Sequence, residues 1–287
     1  MKRPKTNLFY STFILKYLLG KILYSAMGHH NLHFAGDPHA QSGVWGPPTS
    51  ASNFCEEDYA VTRYVAELIN TVTNLAYIYL ALRHPRKSGG NNAGLASKSL
   101  DVLSSSLFAV GVTSAMFHGT LRQGPQFCDD LSMLALAAAL LQPLYTHGRS
   151  PAAARLVTGV IILATSTASA IYVQSGKILY HVYIFSAMLT FIWPRTLHLL
   201  YRDPGPNGSG RSREERRRLG GRFWKAVALL ITAYIIWNID LEMCLQLRDL
   251  RSRIGLPWAW LLEFHGWWHI LTALGASEYM QLVRELC

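Results

Sequence analysis

The sequence predicts an all-α fold, a seven-transmembrane helical bundle with its N-terminus in a lumen and its C-terminus in the cytosol. Three observations predict it. Half of the 287 residues are hydrophobic and 15% are charged, against roughly 25% charged in an ordinary soluble domain. Apolar stretches long enough to cross roughly 30 Å of hydrocarbon recur along the chain. Basic residues collect in alternate loops between them, as cytoplasmic loops do. A positive mean hydropathy excludes a disordered chain or a coiled coil. Four cysteines are too few for a disulfide-stapled module.

The candidate spans cover residues 65–82, 100–121, 129–145, 156–173, 178–200, 223–241 and 258–282. The third is short and carries Pro143. Gly111, Gly159 and Gly275 lie within spans, where small residues let membrane helices pack closely. No internal repeat is visible. One bundle accounts for residues 45–287, preceded by a leader or signal-anchor-like extension at 1–44.

Loop charge sets the orientation. The first loop holds Arg83, Arg86 and Lys87, and the third holds Arg149 and Arg155. The fifth, the longest, holds Arg202, Arg211, Arg213, Arg216, Arg217, Arg218 and Arg222. The opposite loops carry Arg122, Lys177, Arg248, Arg251 and Arg253, and the approach to the first span is acidic at Glu56, Glu57 and Asp58. The net charge of +10 therefore reads as topological asymmetry and not as a nucleic-acid footprint. In the leader, a basic start precedes an apolar run at 9–26, interrupted by Lys16 and Lys21. Met27 offers an alternative start, followed by His29, His30, His33 and His39, which read as a disordered tail.

Ionisable groups inside a bilayer cost several kcal/mol, about 2.5–3.5 on insertion scales, so those present invite a functional reading. The topology puts Ser114 and His118 at the lumenal end of the second span, Asp129 at the start of the third, and His265 and His269 at the start of the seventh. All five share one membrane depth. His265 and His269 are four residues apart and project from one helical face. With His118 they make a three-histidine zinc site with an open fourth position, which would activate a bound water. The soluble zincin pattern has Glu directly after the first histidine, but here Gly266 stands there. The base must come from elsewhere, and Asp129 is best placed. The plain alternative is that each histidine bonds across helices.

A second cluster precedes the first span: Asn53, Phe54, Glu56 and Asp58, closed by Glu67. Carboxylate, amide and carbonyl oxygens suit calcium, which takes six to eight oxygen ligands at about 2.3–2.6 Å. This is not an EF-hand, because its glycine and spacing are missing. The alternative is an acidic start favouring the first helix. His181 and Glu278 read as structural, and Asp240 as a residue that orients the site rather than ligating.

With these clusters in hand, the chain resembles the alkaline ceramidases, a seven-span group related to the adiponectin and progestin receptors. The matching stretches are GVWGPPTS at 43–50, CEEDY at 55–59, YVAELIN at 64–70, SAMFH at 114–118 with Asp129, WNID at 237–240 and WWHILT at 267–272. The resemblance implies hydrolysis of ceramide in the bilayer of the endoplasmic reticulum or Golgi, giving a sphingoid base and a fatty acid. It also implies zinc on His118, His265 and His269, Asp129 acting on the attacking water, and Ser114 on the oxyanion. Calcium would sit on Asn53, Phe54, Glu56, Asp58 and Glu67. The animal pattern has Asp at the first of these positions and Asn at the fourth, so the swap here keeps the carboxylate count. The resemblance further implies a disulfide between Cys55 and Cys244, with Cys128 a competing partner. The rival reading is a receptor of the adiponectin or progestin type with a structural zinc. A divalent-ion transporter fits less well, since the candidate ligands cluster at one face.

Overall fold

The computed structural model describes residues 37–83, 100–202 and 210–287. The leader's apolar run, with His29, His30 and His33, lies outside the described residues, as do Arg86 and Lys87. His39 is exposed.

The described residues are helical, with no strand among them. In chain order the helices are α1 (Leu68–Thr73), α2 (Leu75–Arg83), α3 (Val102–Thr120), α4 (Gln123–Thr146), α5 (Pro151–Ser175), α6 (Ile178–Tyr201), α7 (Arg213–Glu242), α8 (Cys244–Ile254) and α9 (Phe264–Leu286). Four of them, α3, α4, α5 and α7, are long and apolar enough to cross a membrane. The chain therefore carries the helices of a multi-pass membrane protein. α6 and α9 have comparable length, at 24 and 23 residues.

Local chemistry fixes the ends of these helices. Asp101 caps α3 by accepting the Ser104 N–H at 2.8 Å. Ser150 caps α5, Pro151 opens it, and Gly176 closes it in the left-handed conformation at φ +65°, where a Cβ would be strained. Ser212 caps α7 by accepting from Glu215 N. Such side chains satisfy the backbone donors that a helix start leaves orphaned.

The structure corrects the expected spans in four places. Residues 65–82 do not form one helix. They break at Asn74, whose side-chain amide donates to Asn70 O at 2.8 Å while Thr71 and Thr73 bond carbonyls of the preceding turn. Short polar side chains compete in this way with the helix ladder. The third expected span begins six residues earlier than 129, at Gln123, and Pro143 is accommodated in the last turn. The sixth extends back through the arginine cluster to Arg213. The seventh starts at Phe264, because residues 258–262 form a separate 3-10 turn. α8 was not anticipated at all.

α9 packs against α7 and α2 along the centre of the bundle. One apolar cluster joins α2, α3, α4, α6, α7 and α9, with Leu107, Leu134, Ile192, Phe223 and Leu282 at its heart. A smaller one, of Phe54, Tyr59, Ala66, Phe117, Leu121 and Leu241, roofs the end where the candidate ligands sit. At the opposite end Arg284 of α9 binds the Asp101 carboxylate and Ser104 Oγ. That ties the last helix to the start of α3.

Candidate metal centre and active site

The site forms where α1, α3 and α9 converge. Gly266 permits the approach: a Cβ there would stand 3.1 Å from Ile69 and 3.2 Å from Thr73. The residue that breaks the zincin pattern is thus the one that lets α1 lie against α9. A side chain in its place would crowd Ile69 and Thr73.

His118, His265 and His269 are buried, and their candidate ligand nitrogens all lie within 4.8 Å of one another. Their hydrogen-bond partners sort the two ring nitrogens. His118 Nδ1 lies 2.5 Å from Glu67 Oε2, and His269 Nδ1 lies 3.0 Å from Thr73 Oγ1. His269 Nε2 and both nitrogens of His265 have no partner. A buried polar atom left unpaired costs about 1–3 kcal/mol, and one nitrogen from each of the three clustered rings makes a donor set for an ion. Carboxylate or hydroxyl partners on the far nitrogen are what orient histidine ligands elsewhere. The donor set, three neutral imidazoles, suits zinc.

Around this cluster, the Phe54 ring stacks on His265 with centroids 3.6 Å apart. Asp240, fully buried, accepts the backbone N–H of Cys55 at 3.1 Å and of His265 at 3.2 Å. Those two bonds tie the segment before α1 to the start of α9. Cys55 and Cys244 are joined by a disulfide across 189 residues of sequence, and Cys128 is free and exposed. Arg251 binds both Glu263 and Cys55 O, and Arg248 binds Asp37 and Cys55 O. The segment before α1 is therefore strapped to α8 by a covalent bond and two arginines.

Ser114 and Asp129 are brought together, the serine side chain beside the Asp129 carboxylate. Ser114 is one helical turn before His118 on α3, and Asp129 lies in the second turn of α4.

The five residues expected to bind calcium have other partners in part. Asn53 Nδ2 donates to Asp58 at 3.2 Å. Asn53 Oδ1 accepts from Phe54 N at 2.8 Å. Glu56 caps α1 from outside the helix, accepting from Ile69 N at 2.7 Å and Asn70 N at 2.8 Å. Glu67 joins the two clusters, accepting from Phe54 N at 3.3 Å while facing His118. Among the described residues, Glu56, Asp58 and Glu67 do not form a three-ligand group as the histidines do. Burial, and then the nearby Glu67, push the Glu56 carboxyl up to about 8. Burial, Glu67 and Asp37 push Asp58 up to about 7. Crowded acids of this kind have the chemistry of a cation site.

Thr73 and the Glu67–His118 pair escaped the sequence reading. A threonine six residues after a glutamate carries no periodic signal. Only the close packing at Gly266 gives it meaning.

The family model for ceramidases matches residues 46–286 of this chain. The chain belongs to the ceramidase family. Among its relatives is the alkaline ceramidase YPC1 of Saccharomyces cerevisiae, 32% identical over 260 residues that cover 85% of this chain and 78% of the yeast protein. Alkaline ceramidase 3 of Mus musculus is 27% identical over 252 residues, covering 86% of each. The alkaline ceramidase of Drosophila melanogaster is 25% identical over 242 residues, covering 82% of this chain and 77% of that one. The ceramidase match takes in all three histidines, Ser114 and Asp129.

Proposed function

We propose that this chain is a zinc-dependent amidohydrolase that cleaves ceramide, within an internal membrane, to a sphingoid base and a free fatty acid. One observation carries the zinc: three buried histidines on two helices, with three unpaired ring nitrogens among them. His118, His265 and His269 would hold the ion, which supplies Lewis acidity and an activated water. Membership of the ceramidase family carries the substrate.

Asp129 accepts the proton of the attacking water and returns it to the leaving amine. Ser114 begins as a donor to Asp129. Once Asp129 is protonated it becomes the donor, Ser114 Oγ accepts, and the serine's own hydrogen turns to the developing oxyanion. Losing one such donor costs about 10²–10³ in rate, which is the expected effect of Ser114→Ala. Glu67 and Thr73 hold the imidazoles of His118 and His269 in place through their Nδ1 atoms.

Asn53, the Phe54 carbonyl, Glu56, Asp58 and Glu67 would bind calcium. The cation would relieve the crowding of these acids and fix the segment before α1 over the histidines. The bundle is read as seven spans in the endoplasmic reticulum or Golgi. Its N-terminus faces the lumen, and the disulfide and the site lie on that side. Residues 45–287 form the enzyme domain, and 1–44 are a leader.

Release of fatty acid from a fluorescent ceramide by detergent-purified protein tests this reading. We expect hydrolysis that disappears on zinc stripping, returns with zinc, and is absent in His118→Ala. No turnover by folded, zinc-loaded protein across several ceramides, with calcium present, would leave the receptor reading in its place.

A further inference from the structure

α7 opens with Arg213, Arg216, Arg217, Arg218 and Arg222, followed by Lys225. The cations that reach α9 are paired there. Arg218 and Arg222 bind Glu285, and Lys225 binds Glu278. Arg216 donates through Nε to Arg211 O. Arg213 and Arg217 are exposed, and among the described residues neither has a hydrogen bond or an ion pair.

These two arginines stand on one outward stripe. Arg213, Arg217 and Gly221 follow at intervals of four, Trp224 comes three residues later, and Ile231 and Ile235 lie two and three turns beyond it. That spacing keeps all six on one helical face, and all six are exposed. The residues that α7 buries, Leu219, Phe223 and Ala226 among them, lie on the opposite side. A Cβ at Gly221 would meet nothing within 4 Å, so an open notch separates the arginines from Trp224 along the stripe.

Helix length sets their depth. α7 has 30 residues and spans about 45 Å, whereas the hydrocarbon core takes about 20 residues. Every arginine of α7 lies in its first ten residues, 213–222, so the surplus length belongs at that end. Trp224, 59% exposed, then stands at the membrane interface, where tryptophan is enriched. Ile231 and Ile235 face the acyl chains below it.

We propose that Arg213, Arg217 and the notch at Gly221 bind the headgroup of an anionic phospholipid in the leaflet around the start of α7. Charge complementarity selects this occupant. The guanidinium fork matches two phosphate oxygens at once. Of the neighbouring acids, Glu215 is held by Arg211, which leaves Glu214 alone against Arg213, Arg216 and Arg217. That positive excess favours a headgroup of net negative charge, whereas the choline of phosphatidylcholine brings its own cation. The apolar half of the stripe continues below the notch, so the ligand is a lipid of the bilayer and not a soluble phosphate. The inference needs α7 to cross a membrane and is independent of the ceramide reading.

The test uses full-length protein in phosphatidylcholine nanodiscs. Phosphatidylserine or phosphatidylcholine, brominated near the top of its acyl chains, is titrated in. Bromine quenches nearby indoles, and subtraction of the signal of Trp224→Phe isolates Trp224. We expect phosphatidylserine to be preferred about tenfold over phosphatidylcholine. Each arginine near an anionic surface contributes about fivefold, so Arg213→Gln with Arg217→Gln should bring the preference close to unity. Gly221→Leu, which fills the notch and keeps the charge, should lower it about threefold. Arg149→Gln with Arg155→Gln removes the same charge near the start of α5 and should leave it unchanged. Equal quenching by the two lipids in the wild type would overturn the proposal, as would an unchanged preference in Gly221→Leu. Equal loss in the two double variants would also overturn it, because the attraction would then belong to total charge. A dimer that dissociates in Arg213→Gln with Arg217→Gln, without any lipid preference, would assign the face to a second copy of the chain instead.

Discussion

α9 and α5 are helices of similar length, 23 and 25 residues, buried to opposite degrees. α9 buries residues along its whole course, from His265 to Leu286. α5 buries Tyr172 alone. α5 is the more hydrophobic of the two, apolar enough to cross a membrane as α9 is not. The difference is the medium each one meets. α9 is surrounded by protein and carries two of the three histidines, whose geometry must be held to fractions of an ångström for a metal. α5 is exposed along most of its surface and buries a single residue, Tyr172, near its end. Burial in this bundle follows the need for precision, and exposure leaves a wall that a hydrocarbon chain can replace.

Substitutions on the two helices should therefore behave differently, and the contrast is largest at the ligands. His269→Ala on α9 should reduce ceramide hydrolysis to background and remove bound zinc, measured by fatty-acid release and by metal analysis. Thr73→Val, which deletes the partner of His269 Nδ1, should lower zinc affinity by about 10–100-fold. Competition with a chelator measures that loss.

Smaller effects come from packing. A Cβ at Gly275 of α9 would stand 3.0 Å from Leu230 and 3.4 Å from Ala226 O. Gly275→Leu should therefore destabilise the fold by about 1–3 kcal/mol, seen as a lower midpoint in thermal unfolding. Gly159 on α5 has nothing within 4 Å of a Cβ. Gly159→Leu should leave stability within about 0.5 kcal/mol. If the two glycine variants lost stability equally, α5 would be packed against protein after all, and the contrast between the helices would fail.

The sequence was most legible where chemistry coincides with helical periodicity. His265 and His269 share a face because they are four residues apart, and loop charges put His118 and Asp129 at their depth. The three histidines do meet in space. The all-helical architecture was legible for the same reason, since long apolar runs have few alternatives in lipid. What was not legible depended on tertiary contact. The break at Asn74 comes from side chains competing for backbone carbonyls. α8 is polar and arginine-rich, and it folds where the disulfide at Cys244 and Arg251 anchor it. Glu67 was read as closing the acidic cluster before the first span. That it also faces His118, 51 residues away, lay outside the reach of any local pattern.

The central claim is that His118, His265 and His269 hold one zinc that the reaction needs. Metal analysis of purified wild type beside His265→Ala, with both proteins shown to be folded by their thermal transitions, tests it most directly. The account predicts about one zinc per wild-type chain, none in the variant, and ceramide hydrolysis that rises in proportion to zinc returned to stripped wild type. Full zinc content in folded His265→Ala, or hydrolysis undiminished in metal-free wild type, would contradict it.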